Sequence, residues 1–133
     1  MKITKLLAAS AVAVTLAMAT GAAPASASST KRAQTPSGNI SCVARNYGDP
    51  GWSLTCSAED PGTTMRISTA GHAYAAAYQT IARRGTVLRY GHSYNLGPFR
   101  CTSSAYGLDC STVSRDASVV TGFWLSRENA YTY

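Results

Sequence analysis

Pro98-Phe99-Arg100-Cys101-Thr102-Ser103-Ser104-Ala105-Tyr106-Gly107-Leu108-Asp109-Cys110 reads as a complete β-hairpin closed by a disulfide. Phe99 stands two residues before Cys101, and Leu108 two before Cys110. Strand side chains repeat every two residues, so each apolar residue shares a face with its cysteine. Gly38 to Cys56 carries the same arrangement, with Ile40 before Cys42 and Leu54 before Cys56. That common face is read as the core. Together the two stretches predict an all-β, small single-domain antiparallel β-sandwich or barrel stapled by two local disulfide hairpins.

Four cysteines allow three pairings, which counting does not separate. The hairpin registers rank Cys42 with Cys56 and Cys101 with Cys110 first. Placing Cys42 opposite Cys56 sets Ala44 opposite Leu54 and Ile40 opposite Ala58 on one face. Ser41, Arg45, Ser53, Thr55 and Ser57 fall on the other, interrupted by Val43. Gly48-Asp49-Pro50-Gly51 supplies the turn, proline and glycine fixing its backbone angles. In the second hairpin Ser103 falls opposite Leu108 and Thr102 opposite Asp109, around Ser104-Ala105-Tyr106-Gly107.

The chain opens with a processing signal. Met1 to Lys5 holds two lysines, Leu6 to Thr20 is apolar, and Ala25-Ser26-Ala27 offers small residues for cleavage. Residues 1–27 are therefore read as a signal peptide, 28–36 as a disordered leader, and 37–133 as the secreted β-rich domain. Without Lys2 and Lys5 the formal net charge falls from +6 to +4, carried by nine arginines and Lys31 against six acidic residues. No later stretch approaches the roughly 18 apolar residues of a membrane span, and Cys42 lies too far from the cleavage site for a lipid anchor. The expected location is extracellular, where an even set of cysteines forms disulfides. About a hundred residues make one domain, of a size at which cross-links help a modest core.

Further along, Asp60-Pro61-Gly62 marks a second turn and Thr64 to Ser68 alternates as a third strand. His72 to Arg84 has two readings. Tyr74, Ala77, Tyr78 and Ile81 recur at helical spacing, whereas alternating tyrosine and alanine between glycines suits a strand, the reading preferred here. Thr86 to Tyr90 predicts another strand, Ser111 to Ser118 a polar loop, and Val119 to Leu125 a last strand whose Trp124 and Leu125 seal the core.

Gly-His-X-Tyr occurs at Gly71 to Tyr74 and again at Gly91 to Tyr94. Histidine suits general acid and base work near neutral pH, so the pair could serve a secreted hydrolase or nuclease. No carboxylate is spaced to orient either His72 or His92, there is no Gly-X-Ser-X-Gly elbow, and the donor set is too small for zinc. No catalytic residue, metal ligand or cofactor is assigned. Arg83, Arg84 and Arg89, close to Tyr90 and Tyr94, form the densest group of cationic forks and are read as a binding surface. The expected function is non-catalytic binding at or outside the cell envelope, the partner an anionic cell-wall polymer or an extracellular protein rather than nucleic acid. A hydrolase using His72 and His92 is one alternative. A proteinase inhibitor presenting the Ser104 to Gly107 tip is another.

Ser37-Gly38-Asn39-Ile40-Ser41-Cys42, the run Tyr90 to Cys101, Gly107-Leu108-Asp109-Cys110 and Gly122-Phe123-Trp124-Leu125-Ser126-Arg127-Glu128 together resemble a family. It is the small secreted actinobacterial domain of unknown function whose members begin with Ser-Pro-Ser-Gly-Asn-Ile-X-Cys and end with Gly-Phe-X-Leu-Ser-Arg. The resemblance implies an exported β-rich domain with local cysteine pairs and brings no activity. The chain departs from the family pattern in lacking a middle cysteine pair, with Ala77 near one of the missing positions. His92 stands where the pattern commonly has threonine, and Tyr94 where it commonly has tryptophan.

Overall fold

The computed structural model describes residues 29–48, 51–113 and 118–133. The expected signal peptide, the Asp49-Pro50 pair of the first turn and residues 114–117 of the polar loop lie outside them. Over the described residues the chain forms β1 (Thr30–Gln34), β2 (Ile40–Asn46), β3 (Trp52–Ala58), β4 (Thr63–Ser68), β5 (Ala73–Ala76) and β6 (Thr86–Val87). It continues with β7 (Ser93–Leu96), β8 (Phe99–Ser104), β9 (Gly107–Val113), β10 (Val120–Leu125) and β11 (Ala130–Thr132). One sheet runs in the order β5-β4-β3-β2-β1-β6, the other β11-β10-β9-β8-β7. Every pairing is antiparallel except β1 with β6.

The two cysteine hairpins have the registers their apolar pattern dictates. Cys42 faces Cys56, Ala44 faces Leu54 and Ile40 faces Ala58. Cys101 faces Cys110 and Ser103 faces Leu108. Both cysteine pairs are bonded and fully buried. They meet in one core between the sheets, where Leu54, Met65 and Ile67 oppose Phe99, Leu108, Phe123 and Leu125. The fold is thus a sandwich, each sheet contributing one disulfide to its interior.

Five sequence expectations need correction. The leader expected at 28–36 contains β1, which pairs along its whole length with β2 and buries Ala33. Backbone pairing and one small core residue suffice there, although the segment is polar. Of the 72–84 stretch, Ala73–Ala76 is a strand and 77–84 has no regular structure, so the helical spacing marks no helix. The strand expected over Thr86 to Tyr90 is confined to Thr86–Val87, and β9 continues through Ser111 to Val113 where a loop was expected. Last, Trp124 is not a core residue. Phe123 and Leu125 face the core opposite Cys110 and Leu108, so the pleat turns Trp124 outward, opposite Asp109.

Because β5 and β6 are opposite edges of the first sheet, residues 77–85 must cross its outer face. Gln79 fixes this strap: its backbone N–H donates to Thr64 Oγ1 at 3.0 Å, and its side-chain oxygen accepts from Arg66 at 3.3 Å. The strap explains why Ser41, Thr55, Ser57 and Thr64, polar residues of that outer face, are buried. Ser57 and Thr64 satisfy each other's hydroxyls at 2.6 Å. On the second sheet Tyr133 takes the place of a missing side chain, its ring covering Gly122 and its hydroxyl donating to the Asp109 carboxylate. Partial burial and that carboxylate hold the Tyr133 phenol well above its ordinary range.

Candidate functional site

At one end of the sandwich three turns converge on an open cleft of about 440 Å³. The β1–β2 turn contributes Thr35, Ser37 and Asn39, the β8–β9 turn Ala105 and Tyr106, and the β10–β11 turn Ser126 to Asn129, with Trp124 and Tyr90 completing the wall. The stretches that meet here are among the most distant in the chain.

Each turn is pinned by a hydroxyl. Thr35 Oγ1 accepts from the Ile40 N–H at 3.2 Å, Ser104 Oγ from Tyr106 and Gly107 at 3.2 and 3.3 Å, and Ser126 Oγ from Glu128 and Asn129 at 3.2 and 2.9 Å. Such side-chain to backbone bonds are what serine and threonine offer at turns. Asn39 adds a clamp of its own, accepting from the Asp60 N–H at 3.0 Å and donating to the Asp60 carbonyl at 3.1 Å. The walls are therefore held before any ligand arrives.

Three aromatic rings edge this frame: Trp124, half-buried, Tyr90, and Tyr106, which is 85% exposed at the hairpin tip. Between them lie hydroxyls and amides, with Arg127 and Glu128 as opposite charges on the rim. The cleft can offer flat apolar surface and neutral hydrogen-bonding groups to one ligand.

The arginines singled out in the sequence do not line it. Arg83 passes over Gly38 and forms an ion pair with Glu59, so its fork is engaged within the protein. Arg84 and Arg89 are exposed, and the Arg89 backbone N–H donates to Tyr94 Oη at 3.0 Å. Tyr94, half-buried opposite Cys101, packs against the core. Of the five residues read as a binding surface, Tyr90 alone reaches the cleft. His72 and His92 sit in exposed turns of different sheets, the first before β5 and the second before β7, and neither lines the cleft. Among the described residues no three His, Cys, Asp or Glu side chains gather as a metal site would require, and no helix is long and apolar enough to cross a membrane.

Sequence reasoning missed Trp124, Asn39 and Ser126 as cleft residues. The available signal for Trp124 was alternation: with Phe123 and Leu125 both inward, the residue between them had to point out. No family model, no curated protein and no solved structure matches the chain.

Proposed function

We propose that the protein is an exported, non-catalytic binding module acting at or outside the cell envelope, and that its cleft takes a saccharide chain of the wall. The observation carrying this reading is the placement of Trp124, Tyr90 and Tyr106 around one cleft whose walls are pinned turns. Sugar rings present C–H faces that lie on aromatic rings, and hydroxyls that pair with amides and hydroxyls such as those of Asn39, Ser37 and Asn129. Rigid aromatic side chains supply contact area at low entropic cost. The cleft volume falls within the roughly 300–1,000 Å³ of small-ligand sites. The lysines and apolar run of residues 1–20 and the two disulfide-bonded hairpins support the same placement outside the cell.

The test is retention on isolated, insoluble cell-wall glycan, together with tryptophan fluorescence during titration with its soluble fragments. Saturable binding that Trp124→Ala lowers by at least about tenfold, with little change in melting temperature, is the expected result. Equal retention of the parent, Trp124→Ala and Tyr106→Ala proteins would overturn the reading. Turnover of the glycan by the parent, lost in a His72→Ala, His92→Ala variant, would replace it with the hydrolase. Stoichiometric inhibition of a secreted proteinase, lost in Tyr106→Ala, would replace it with the inhibitor.

A further inference from the structure

A second cavity, of about 290 Å³, lies on the outer face of the first sheet, bounded by the strap. Val43, Arg45, Tyr47, Ser53, Thr55 and Arg66 line it, with Gln79 and Thr80 of the strap as its roof. The strand registers bring these side chains together: Val43 faces Thr55, Arg45 faces Ser53 and Thr55 faces Arg66. No carboxylate is among them.

The Arg66 guanidinium is held in place. Its Nε–H donates to Thr55 Oγ1 at 3.1 Å and one terminal N–H donates to Gln79 Oε1 at 3.3 Å. Guanidinium carries five N–H donors. Among the described residues these two bonds leave three donors on a half-buried, oriented cation that lines the cavity. Arg45 brings a second positive charge two strands away, and Tyr47, Ser53 and Thr80 bring hydroxyls. A planar fork fixed on one side by neutral acceptors, beside another cation and with no acid among the described lining residues, is matched by an oxyanion.

We propose that this cavity binds a phosphate group, with Arg66 as the fixed donor fork and Arg45 as the exposed second cation. The proposal is independent of the saccharide cleft. It places the anionic contact of the protein on Arg45 and Arg66, not on Arg83, Arg84 and Arg89, of which Arg83 is engaged by Glu59. The phosphate can come free in solution or as part of an ester chain; both offer the same tetrahedral oxygens.

Titration of the full chain with inorganic phosphate at constant ionic strength, chloride replacing it in the control, tests the site by NMR shifts. The Arg66 side-chain Nε–H and the backbone amides of Tyr47 and Gln79 report. Saturable shifts confined to this cavity are expected, weakened about tenfold or more by Arg66→Gln and severalfold by Arg45→Gln. Arg66→Lys, keeping charge without the fork, should recover only part of the affinity. Arg45 is exposed and, among the described residues, forms no hydrogen bond with the strap, which is held through Thr64 and Arg66, so Arg45→Gln keeps the test valid if Arg66→Gln loosens the fold. Dimethyl phosphate distinguishes the sources: binding like inorganic phosphate assigns the site to an internal phosphodiester, and exclusion assigns it to free phosphate or a terminal ester. Shifts spread over all exposed arginines, or affinity unchanged in both glutamine variants, would overturn the proposal.

Discussion

The indole of Trp124 lies against the backbone of Gly107: a β-carbon built on Gly107 would stand 2.7 Å from Trp124 Cζ2 and equally 2.7 Å from the Leu125 carbonyl oxygen. The missing side chain at the hairpin tip is thus what lets the ring settle over β9 and edge the cleft. Gly107→Ala meets backbone on one side and the ring on the other, so the ring must leave its seat. We expect a loss of about 1–3 kcal/mol, the usual cost of overpacking, with weaker saccharide binding. A variant that melts and binds like the parent would show that the indole is not seated by this glycine.

Neighbouring aromatics on β10 should behave oppositely. Phe123 is fully buried against the core, and its truncation to alanine should cost about 3–5 kcal/mol. Trp124 faces outward, so Trp124→Ala should cost no more than about 1 kcal/mol while removing the cleft's largest ring. Thermal melts of the two variants decide it; equal losses would mean that the pleat does not separate them.

Each disulfide closes a short loop, with sequence separations of 14 and 9 residues. The chain-entropy estimate gives about 3 kcal/mol for a loop near 15 residues and less for a shorter one. Paired alanine variants should therefore each lose stability, the Cys42, Cys56 pair somewhat more. All four cysteines are fully buried, so in native buffer reduction should follow unfolding and stay slow without denaturant. Alkylation after timed exposure to dithiothreitol measures this; prompt labelling at low temperature would contradict it.

Alkaline pH should expose the Tyr133 contact. Its folded-state pKa lies above the ordinary value of 10.0, chiefly through partial burial and then through the Asp109 carboxylate. Above about pH 10 the unfolded chain gives up this proton while the folded protein retains it. The associated stability is present below the unfolded pKa and is lost as pH rises toward the folded one. Tyr133→Phe should flatten that part of the pH profile. An identical fall in the variant would assign it to other groups.

Local order was legible because a cysteine with an apolar residue two places earlier leaves little freedom of register. Ile40 opposite Ala58 and Ser103 opposite Leu108 both follow from that spacing. What was hidden depends on distant pieces. Nothing within 77–84 announces that β5 and β6 belong to opposite edges, yet this placement carries the strap over Thr55 and Thr64 and roofs the arginine cavity. Lys31 and Arg32 disguised β1, whose place depends on the backbone of β2 more than on its own side chains. The cleft escaped notice because Asn39, Tyr106 and Ser126 become neighbours only once the sheets are stacked. The arginine cluster was prominent in sequence, but one of its forks turns to Glu59.

The outermost strands are the short ones. β5, β6, β7 and β11 have 4, 2, 4 and 3 residues, whereas the strands inside the sheets run from 5 to 7. An exposed edge offers unpaired N–H and C=O groups on which another chain can grow, and brevity limits how many such bonds a stranger can make. A molecule built mostly of ladders is in this way a poor template for its own aggregation.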